Sequence, residues 1–109
     1  MDPDSIEIDV ATLARMRQAD PSPVVLDVRE PRELAVCALD DAVHIPMNEI
    51  PARLDELPTD REVVVMCHHG TRSMQVTRFL HHQGYTNARN LAGGIDAWAA
   101  RVDPGMARY

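Results

Sequence analysis

Apolar residues follow two different spacings that alternate along the chain. Val24-Val25-Leu26 and Val63-Val64-Val65-Met66 are apolar at successive positions, which is typical of strands covered on both faces in a parallel sheet. Between such runs, apolar residues recur every three or four positions, which indicates one buried face of a helix. The sets with helical spacing are Val10, Leu13 and Met16; Ile50, Leu54 and Leu57; Val76, Phe79 and Leu80; and Ile95, Trp98 and Val102.

Turn and capping residues divide these patterns into elements. We expect Asp9 to cap the first helix, Pro31 to begin a short second helix and Gly84 to end the helix at 73–83. The alternation of strands with helices predicts an α/β domain with a mainly parallel sheet and helices on both faces. The expected strands lie at residues 5–8, 24–26, 42–45, 62–66 and 87–91.

The length of the chain predicts a single domain over residues 1–109. A chain of this size buries about 65% of the surface that it exposes when unfolded, which is enough for one core without disulfides or metals. Pro104-Gly105 ends the last helical pattern, and we expect residues 104–109 to form a loose tail.

Charged and nucleophilic residues follow two of the predicted strands. Asp27 and Arg29 come at the end of one apolar run, and Cys67 and Arg72 follow another. Ligands of parallel α/β sheets bind beyond the carboxyl ends of the strands. We therefore expect these four residues to lie along one edge of the sheet.

The loop that starts at Cys67 combines a nucleophile with anion-binding groups. A cysteine between a strand and a helix lies at the helix N-terminus, where N–H groups and the helix dipole favour an anion, so Cys67 is a candidate nucleophile. Gly70 permits a positive φ, which lets consecutive amides face one concavity. Arg72 carries a guanidinium fork suited to oxyanions. Thr71 and Ser73 add hydroxyl donors, and Ser73 is a candidate helix cap.

Simpler interpretations of the same residues lead to different expectations. A cysteine after an apolar strand is commonly an inert core residue, but Gly70 and Arg72 at these spacings favour the reactive interpretation of Cys67. Adjacent histidines in a tight loop seldom reach one metal ion, so we expect no metal at His68 and His69. We expect the two histidines to line the mouth of the pocket or to add positive charge. The loop implies no cofactor.

Composition excludes several classes of partner. Eleven basic and seventeen acidic residues give a net charge of −6, which argues against nucleic acid or an anionic membrane as the main partner. No apolar run approaches the roughly 20 residues that span a bilayer. The segment Met1-Asp2-Pro3-Asp4 lacks the features of a signal peptide. Two cysteines are too few for a disulfide scaffold, so we expect a cytoplasmic protein.

Four segments of the chain form a combined signature. They are Val25-Leu26-Asp27-Val28-Arg29-Glu30 with Glu33, then His44-Ile45-Pro46, then Cys67-His68-His69-Gly70-Thr71-Arg72-Ser73, and finally Asn90-Leu91-Ala92-Gly93-Gly94-Ile95-Asp96-Ala97-Trp98. In this order and at these spacings, the segments resemble the rhodanese-like domain family in its single-domain form. The resemblance covers nearly the whole chain and implies a five-stranded parallel sheet flanked by helices.

The resemblance also implies sulfur transfer. In that scheme Cys67 attacks the outer sulfur of a donor such as thiosulfate, carries it as a persulfide and yields it to cyanide or a thiol. The loop amides of residues 68–73 would stabilise the persulfide, and Arg72 would bind the anionic part of the donor. Asp27 and Arg29 would support the edge of the site as an ion pair.

Two other functions are compatible with this signature. Phosphatases and arsenate reductases on a similar scaffold also use a cysteine, a cradle of amides and a terminal arginine. Four residues separate Cys67 from Arg72, one fewer than in the related phosphatases, and the shorter loop suits a single sulfur atom. The second possibility is a persulfide carrier or binding module for a partner enzyme, in which the acidic surface steers a basic protein acceptor of sulfur. The residues leave a general sulfurtransferase and a dedicated carrier both open.

Overall fold

A computed structural model describes residues 6–109 of the chain and contains five strands and four α-helices in that range. The predicted start of the first strand at Ser5 lies outside the described residues. The strands are β1 (Glu7–Ile8), β2 (Val24–Asp27), β3 (Val43–His44), β4 (Val63–Met66) and β5 (Ala88–Leu91); the helices are α1 (Val10–Met16), α2 (Pro31–Leu34), α3 (Thr71–His82) and α4 (Gly94–Arg101), with two 3₁₀ segments at Met47–Ala52 and Leu54–Glu56.

The five strands form one parallel sheet in the order β1-β5-β4-β2-β3. All four residues of β4 are buried, as its continuous apolar run predicts for a central strand. β4 pairs with β2 from Val24 opposite Val63 to Asp27 opposite Met66, so the two strands end level with each other. The predicted α/β class and parallel sheet are confirmed.

Helices cover both faces of the sheet, also as predicted. Alternate residues of β4 point to opposite faces, because side chains of a strand alternate. Val63 and Val65 pack with Val76 and Leu80 of α3 on one face. On the other face, Val64 and Met66 pack in a second cluster, whose buried helical members are Val10, Leu13, Ile95 and Trp98 of α1 and α4.

The capping predictions for Asp9, Pro31 and Gly84 agree with the structure. The prediction that Ser73 caps α3 is wrong, because the helix begins two residues earlier at Thr71, and the Ser73 hydroxyl lies beside the Cys67 sulfur. One other predicted helix has a different form. The side chain of Asp9 accepts a hydrogen bond from the Thr12 N–H at 2.8 Å, and Gly84 has a φ of 92° after α3. The predicted α-helix over residues 50–57 is replaced by the two 3₁₀ segments. Pro51 lies inside the first of them and has no N–H to donate, which weakens a regular α-helix there.

The segment at 104–109 is not the loose tail that its composition predicts. The Arg108 guanidinium contacts the Asp96 carboxylate at 3.1 and 3.2 Å. The Tyr109 ring stacks on the His68 ring with centroids 3.7 Å apart. The prediction rested on Pro104-Gly105, which ends a helix but says nothing about where the following side chains pack.

The carboxyl ends of β2, β4 and β5 share one edge of the sheet, and the loops that follow them meet there. Among residues 6–109, none of the helices has the length and apolar character needed to span a bilayer.

Candidate active site

Cys67 lies directly after β4 and four residues before α3. Cys67 is 1% exposed and packs in the same hydrophobic cluster as Val76 of α3. The strand ends at the sheet edge and the chain turns at once into the helix, so the sulfur lies at the helix N-terminus, as the sequence predicts. Both Cys67 and Cys37 are free thiols in the structure.

The sulfur of Cys67 is surrounded by hydrogen-bond donors from the loop and the first turn of α3. The Gly70 N–H donates to Sγ at 3.1 Å and the Ser73 N–H donates to it at 3.4 Å. The Ser73 hydroxyl lies 3.2 Å from the same atom. Gly70 has a φ of 109°, and a side chain there would approach the Gly93 nitrogen at 3.2 Å. The glycine thus permits both the turn and the amide contact with sulfur.

The Ser73 hydroxyl has one hydrogen and two acceptors within reach. One acceptor is the Cys67 sulfur and the other is the Asn90 side-chain oxygen. The Asn90 amide nitrogen donates to the Gly70 carbonyl at 3.2 Å and to the Glu7 carboxylate at 2.9 Å, which fixes its oxygen toward Ser73. Asn90 therefore orients the hydroxyl beside the sulfur and ties the loop to β5.

The N-terminus of α4 holds the loop from the other side. The Ile95 N–H donates to the Cys67 carbonyl at 2.9 Å, and the Asp96 N–H donates to the His68 carbonyl at 3.1 Å. A Cβ at Gly94 would lie 2.5 Å from both carbonyl oxygens, so only glycine fits there. In a trans peptide the N–H points opposite to the C=O. The N–H groups that follow these two carbonyls, at His68 and His69, therefore point away from α4.

Arg72 forms a bidentate ion pair with Glu33 of α2. The two terminal nitrogens of Arg72 donate to the two carboxylate oxygens of Glu33, each at 2.8 Å. The side chain of Arg72 is 36% exposed and that of Glu33 is 11% exposed. The hydrogen bonds from Arg72 hold the pKa of Glu33 well below its usual range, against the opposing effect of burial. The pKa of Arg72 is raised by the same hydrogen bonds.

Asp27 and Arg29 form the ion pair that the sequence predicts, and both side chains are fully buried. Arg29 Nη2 donates to Asp27 Oδ2 at 2.7 Å and also to the Cys37 carbonyl at 2.9 Å. Burial alone would lower the pKa of Arg29, but the hydrogen bonds with Asp27 and Tyr109 outweigh it and raise that pKa. Among residues 6–109, the side chains of Asp27 and Arg29 form no hydrogen bond with the loop that starts at Cys67. Their support of the sheet edge stays a prediction.

The remaining predicted site residues occupy the rim. His68 is half-buried under Tyr109, while the His69 side chain is 63% exposed. Burial lowers the pKa of His68, and the neighbouring His69 lowers it further. The lowered pKa reduces the positive charge that His68 can add, and its place at the mouth of a pocket stays a prediction. Thr71 is the exposed first residue of α3.

The structure brings Asp96 close to the two histidines, which the sequence spacing did not reveal. One ligand atom from each of His68, His69 and Asp96 lies within 4.8 Å of the others. The Asp96 carboxylate already accepts two hydrogen bonds from Arg108. The absence of a metal stays a prediction.

Sequence patterns alone gave no role to three residues of the site. Glu33 and Asn90 belong to the four segments of the signature, but their spacing is compatible with many roles. Tyr109 gave no signal at all, because its position in the chain is far from every residue that it contacts. Its hydroxyl donates to Glu33 at 2.8 Å and accepts from Arg29 at 3.0 Å.

The fold and the loop together define a class of parallel α/β proteins that present one cysteine at a helix N-terminus within a cradle of amides. Comparison with known proteins identifies the family. The profile of the rhodanese-like domain matches residues 9–101. The chain therefore belongs to the rhodanese-like domain family.

Named relatives agree with this assignment. A sulfurtransferase from Allochromatium vinosum is 47% identical over 94 residues, which cover 85% of this chain and 87% of that protein. A rhodanese-related protein from Thermoplasma volcanium has a TM-score of 0.80 and 33% identity, covering 88% of this chain and 92% of that one. The human single-domain sulfurtransferase TSTD1 has a TM-score of 0.80 and 26% identity, covering 89% and 97% of the two chains.

Proposed function

We propose that this protein is a sulfurtransferase that carries a sulfane sulfur on Cys67. The donor is a compound such as thiosulfate, and the acceptor is cyanide or a thiol. The observation that carries the proposal is the set of donors around the sulfur, with the Gly70 N–H at 3.1 Å and the Ser73 N–H at 3.4 Å. Backbone amides at a helix N-terminus stabilise negative charge on a sulfur.

The first half-reaction balances with the residues present. The Cys67 thiolate attacks the outer sulfur of thiosulfate, a new S–S bond forms, and sulfite leaves with the electron pair of the broken S–S bond. Cys67 then holds one extra sulfur as a persulfide. In the second half-reaction, an acceptor thiolate or cyanide attacks that outer sulfur and the Cys67 thiolate leaves.

The loop geometry supports a cargo of one sulfur atom. The N–H groups of His68 and His69 point away from α4, because the carbonyls before them bond to the first turn of that helix. Together with the Gly70 and Ser73 amides, they can stabilise the outer sulfur of a persulfide. Arg72 is the candidate group for binding the anionic part of a donor, since its guanidinium is partly exposed at the end of the loop.

A persulfide carrier that serves one partner enzyme remains the second candidate. It uses the same chemistry at Cys67 and differs only in whether the donor or acceptor is a protein. The net charge of −6 favours a partner with a basic surface. Phosphoryl transfer is disfavoured by the short interval between Cys67 and Arg72.

The test is the mass of the intact protein after incubation with thiosulfate. We expect the wild type to gain one sulfur atom, which a reductant such as dithiothreitol removes. Cys67→Ser should gain none, because its hydroxyl cannot hold the sulfur. Mercaptopyruvate and a cysteine desulfurase with cysteine serve as alternative donors in parallel incubations.

Cys37→Ser is the matched control. Cys37 is the other free thiol of the chain, and Arg29 Nη1 lies 4.0 Å from its sulfur, too far to stabilise an anion strongly. Cys37→Ser should therefore load like the wild type. Loading of Cys67→Ser together with loss of loading in Cys37→Ser would make Cys37 the carrier and refute the proposal.

A further inference from the structure

The Glu33 carboxylate is fixed by four hydrogen-bond donors. Two come from the Arg72 guanidinium at 2.8 Å, one from the Tyr109 hydroxyl at 2.8 Å and one from the Glu30 N–H at 2.9 Å. A carboxylate has about four lone-pair sites, so its accepting capacity is filled. Glu33 therefore stays charged and keeps one orientation against Arg72.

Tyr109 helps to fix the orientation of the Glu33 carboxylate through its hydroxyl. Its ring lies nearly parallel to the His68 ring, with centroids 3.7 Å apart and planes 6° apart. Its hydroxyl accepts from Arg29 at 3.0 Å and donates to Glu33. The tyrosine is thus fixed by one contact with the cysteine loop and by another with the buried ion pair, and its remaining hydrogen bond goes to Glu33.

Positive charge around the cysteine is largely cancelled by this arrangement. Arg72 is paired with Glu33, Arg29 with Asp27 and Arg108 with Asp96. The lowered pKa of His68 keeps that ring mostly neutral. The dipole of α3 and the loop amides are the main attraction left for an anion, and a helix N-terminus corresponds to roughly half of one positive charge.

Sulfur donors place different demands on such a site. Thiosulfate is a dianion, so its attack by the Cys67 thiolate gathers three negative charges and releases sulfite, another dianion. A hydropersulfide, R–S–SH, is attacked as a neutral group: a new S–S bond forms with Cys67, the old S–S bond breaks, and R–S⁻ leaves with the electron pair. The proton stays on the transferred sulfur, and the reacting groups carry one negative charge throughout.

We propose that Glu33, held in place by Tyr109, cancels the charge of Arg72 and so directs the site to hydropersulfide donors in preference to thiosulfate. This inference rests on the proposed Cys67 persulfide. Glu33 and Tyr109 act through Arg72 and touch no reacting atom, so they are positioning residues. A sulfonate group must compete with Glu33 for the two terminal nitrogens of Arg72, whereas a hydropersulfide needs no such exchange.

The experiment measures the rate of Cys67 loading as a function of donor concentration, by intact-protein mass spectrometry in single-turnover mixtures. One donor is thiosulfate. The other is 2-hydroxyethyl hydropersulfide, formed from sulfide and bis(2-hydroxyethyl) disulfide, whose organic group is uncharged. We expect the wild type to load from the hydropersulfide with the larger second-order rate constant.

Two variants test the role of the positioning residues. Glu33→Gln keeps the size of the side chain and removes its charge, so the concentration of thiosulfate for half-maximal loading should fall about fivefold to tenfold. Loading from the hydropersulfide should change less than about twofold, because no charged group of that donor meets Arg72. Tyr109→Phe keeps the ring on His68 and removes one of the four donors to Glu33. The concentration of thiosulfate for half-maximal loading should therefore fall about twofold.

Asp40→Asn is the matched control. Asp40 is exposed and its carbonyl, not its carboxylate, accepts a hydrogen bond from Arg17, so the variant changes the net charge by the same amount without touching Glu33 or Arg72. It should leave the ratio of the two donors unchanged. If Glu33→Gln slows both donors equally, Glu33 only supports the loop and the proposal is wrong. Faster loading of the wild type from thiosulfate than from the hydropersulfide also overturns it.

The same experiment separates this proposal from the proposed function. If neither donor loads Cys67, the sulfurtransferase assignment fails and this inference fails with it. If both donors load Cys67 but the ratio of their rate constants is the same in the wild type, Glu33→Gln and Tyr109→Phe, only the inference fails. A third donor, the protein-bound hydropersulfide of a cysteine desulfurase, distinguishes the source: saturation at lower concentration than the small hydropersulfide indicates a protein donor, and the reverse indicates a small thiol.

Discussion

Two arginine–carboxylate pairs stand side by side at the carboxyl edge of the sheet, and they differ mainly in burial. The Asp27–Arg29 pair has no exposed side-chain surface. In the Glu33–Arg72 pair, 36% of the arginine side chain and 11% of the glutamate side chain are exposed. Both pairs are bidentate, with shortest contacts of 2.7 and 2.8 Å. Tyr109 bonds to one member of each.

The difference shows how burial divides similar chemistry into separate roles. A fully buried arginine cannot exchange its partner for a ligand, since each lost hydrogen bond would leave an unpaired charge in a medium of low polarity. A partly exposed arginine can exchange its partner, because water and the ligand compensate for the lost bond. Asp27–Arg29 is therefore suited to holding the sheet edge together, and Glu33–Arg72 to adjusting the charge that a substrate meets.

The largest expected effect is the loss of stability when the buried pair is broken. Asp27→Ala leaves the Arg29 charge buried without its main partner, and we expect the free energy of unfolding to fall by about 3–5 kcal/mol. Urea denaturation followed by circular dichroism measures it. Asp27→Asn, which keeps the shape and one acceptor, should lose less. A loss below about 1 kcal/mol for Asp27→Ala would mean that the two pairs do not differ in the way burial predicts.

The second effect concerns donor use at the partly exposed pair. Arg72→Ala should lower the second-order rate constant for loading from thiosulfate by a factor equivalent to about 1.5–3 kcal/mol, the range for a charged hydrogen bond. Its free energy of unfolding should change by no more than about 1 kcal/mol, since Glu33 becomes accessible to water. Arg72→Lys keeps the charge and loses the guanidinium fork, so its rate constant should lie between those of the wild type and Arg72→Ala. Unchanged thiosulfate use in Arg72→Ala would make this pair structural too.

The smallest effect is a pH dependence that belongs to the partly exposed pair. Arg72 holds the pKa of folded Glu33 below the usual value of 4.5. A group whose pKa is depressed by folding stabilises the folded state fully above its unfolded pKa and loses that contribution as the pH falls through the folded one. The difference in unfolding free energy between wild type and Glu33→Gln should therefore be constant from pH 7 to about 5.5 and shrink below about 4.5.

Denaturation in urea at each pH measures this difference. In an Arg72→Ala background, Glu33 lacks the partner that lowers its pKa, and the pH dependence should largely disappear. If it persists unchanged in that background, a partner other than Arg72 sets the titration of Glu33.

Local physical signals account for the parts of the fold that were predicted correctly. The continuous apolar runs of β2 and β4 need cover on both faces, and that requirement leads directly to a parallel sheet between two layers of helices. Asp9 and Gly84 act within one helical turn, so their roles can be inferred from neighbours in the chain. The helix expected at residues 50–57 was wrong, because apolar spacing cannot separate an α-helix from 3₁₀ turns around Pro51.

The cysteine loop was predictable for the same reason, and its surroundings were not. Gly70 and Ser73 contact Cys67 across three and six positions, so strand, turn and helix geometry bring them together once the elements are known. The contacts of Tyr109 with Arg29 and Glu33 join residues 80 and 76 positions apart. No local preference encodes such contacts.

The amino-acid sequence was sufficient for the class of fold and the position of Cys67 at a helix N-terminus, because both follow from short-range pattern and spacing. It was also sufficient for the family, through the resemblance that four segments carry. Only the folded chain decided what Arg72 faces. In the sequence Arg72 is a cation at the end of an anion-binding loop, and in the structure it is neutralised by Glu33 from a different helix and secured by Tyr109. The net charge of a site depends on every residue that folding brings there, including residues far away in the sequence, so it can be determined only from the tertiary structure.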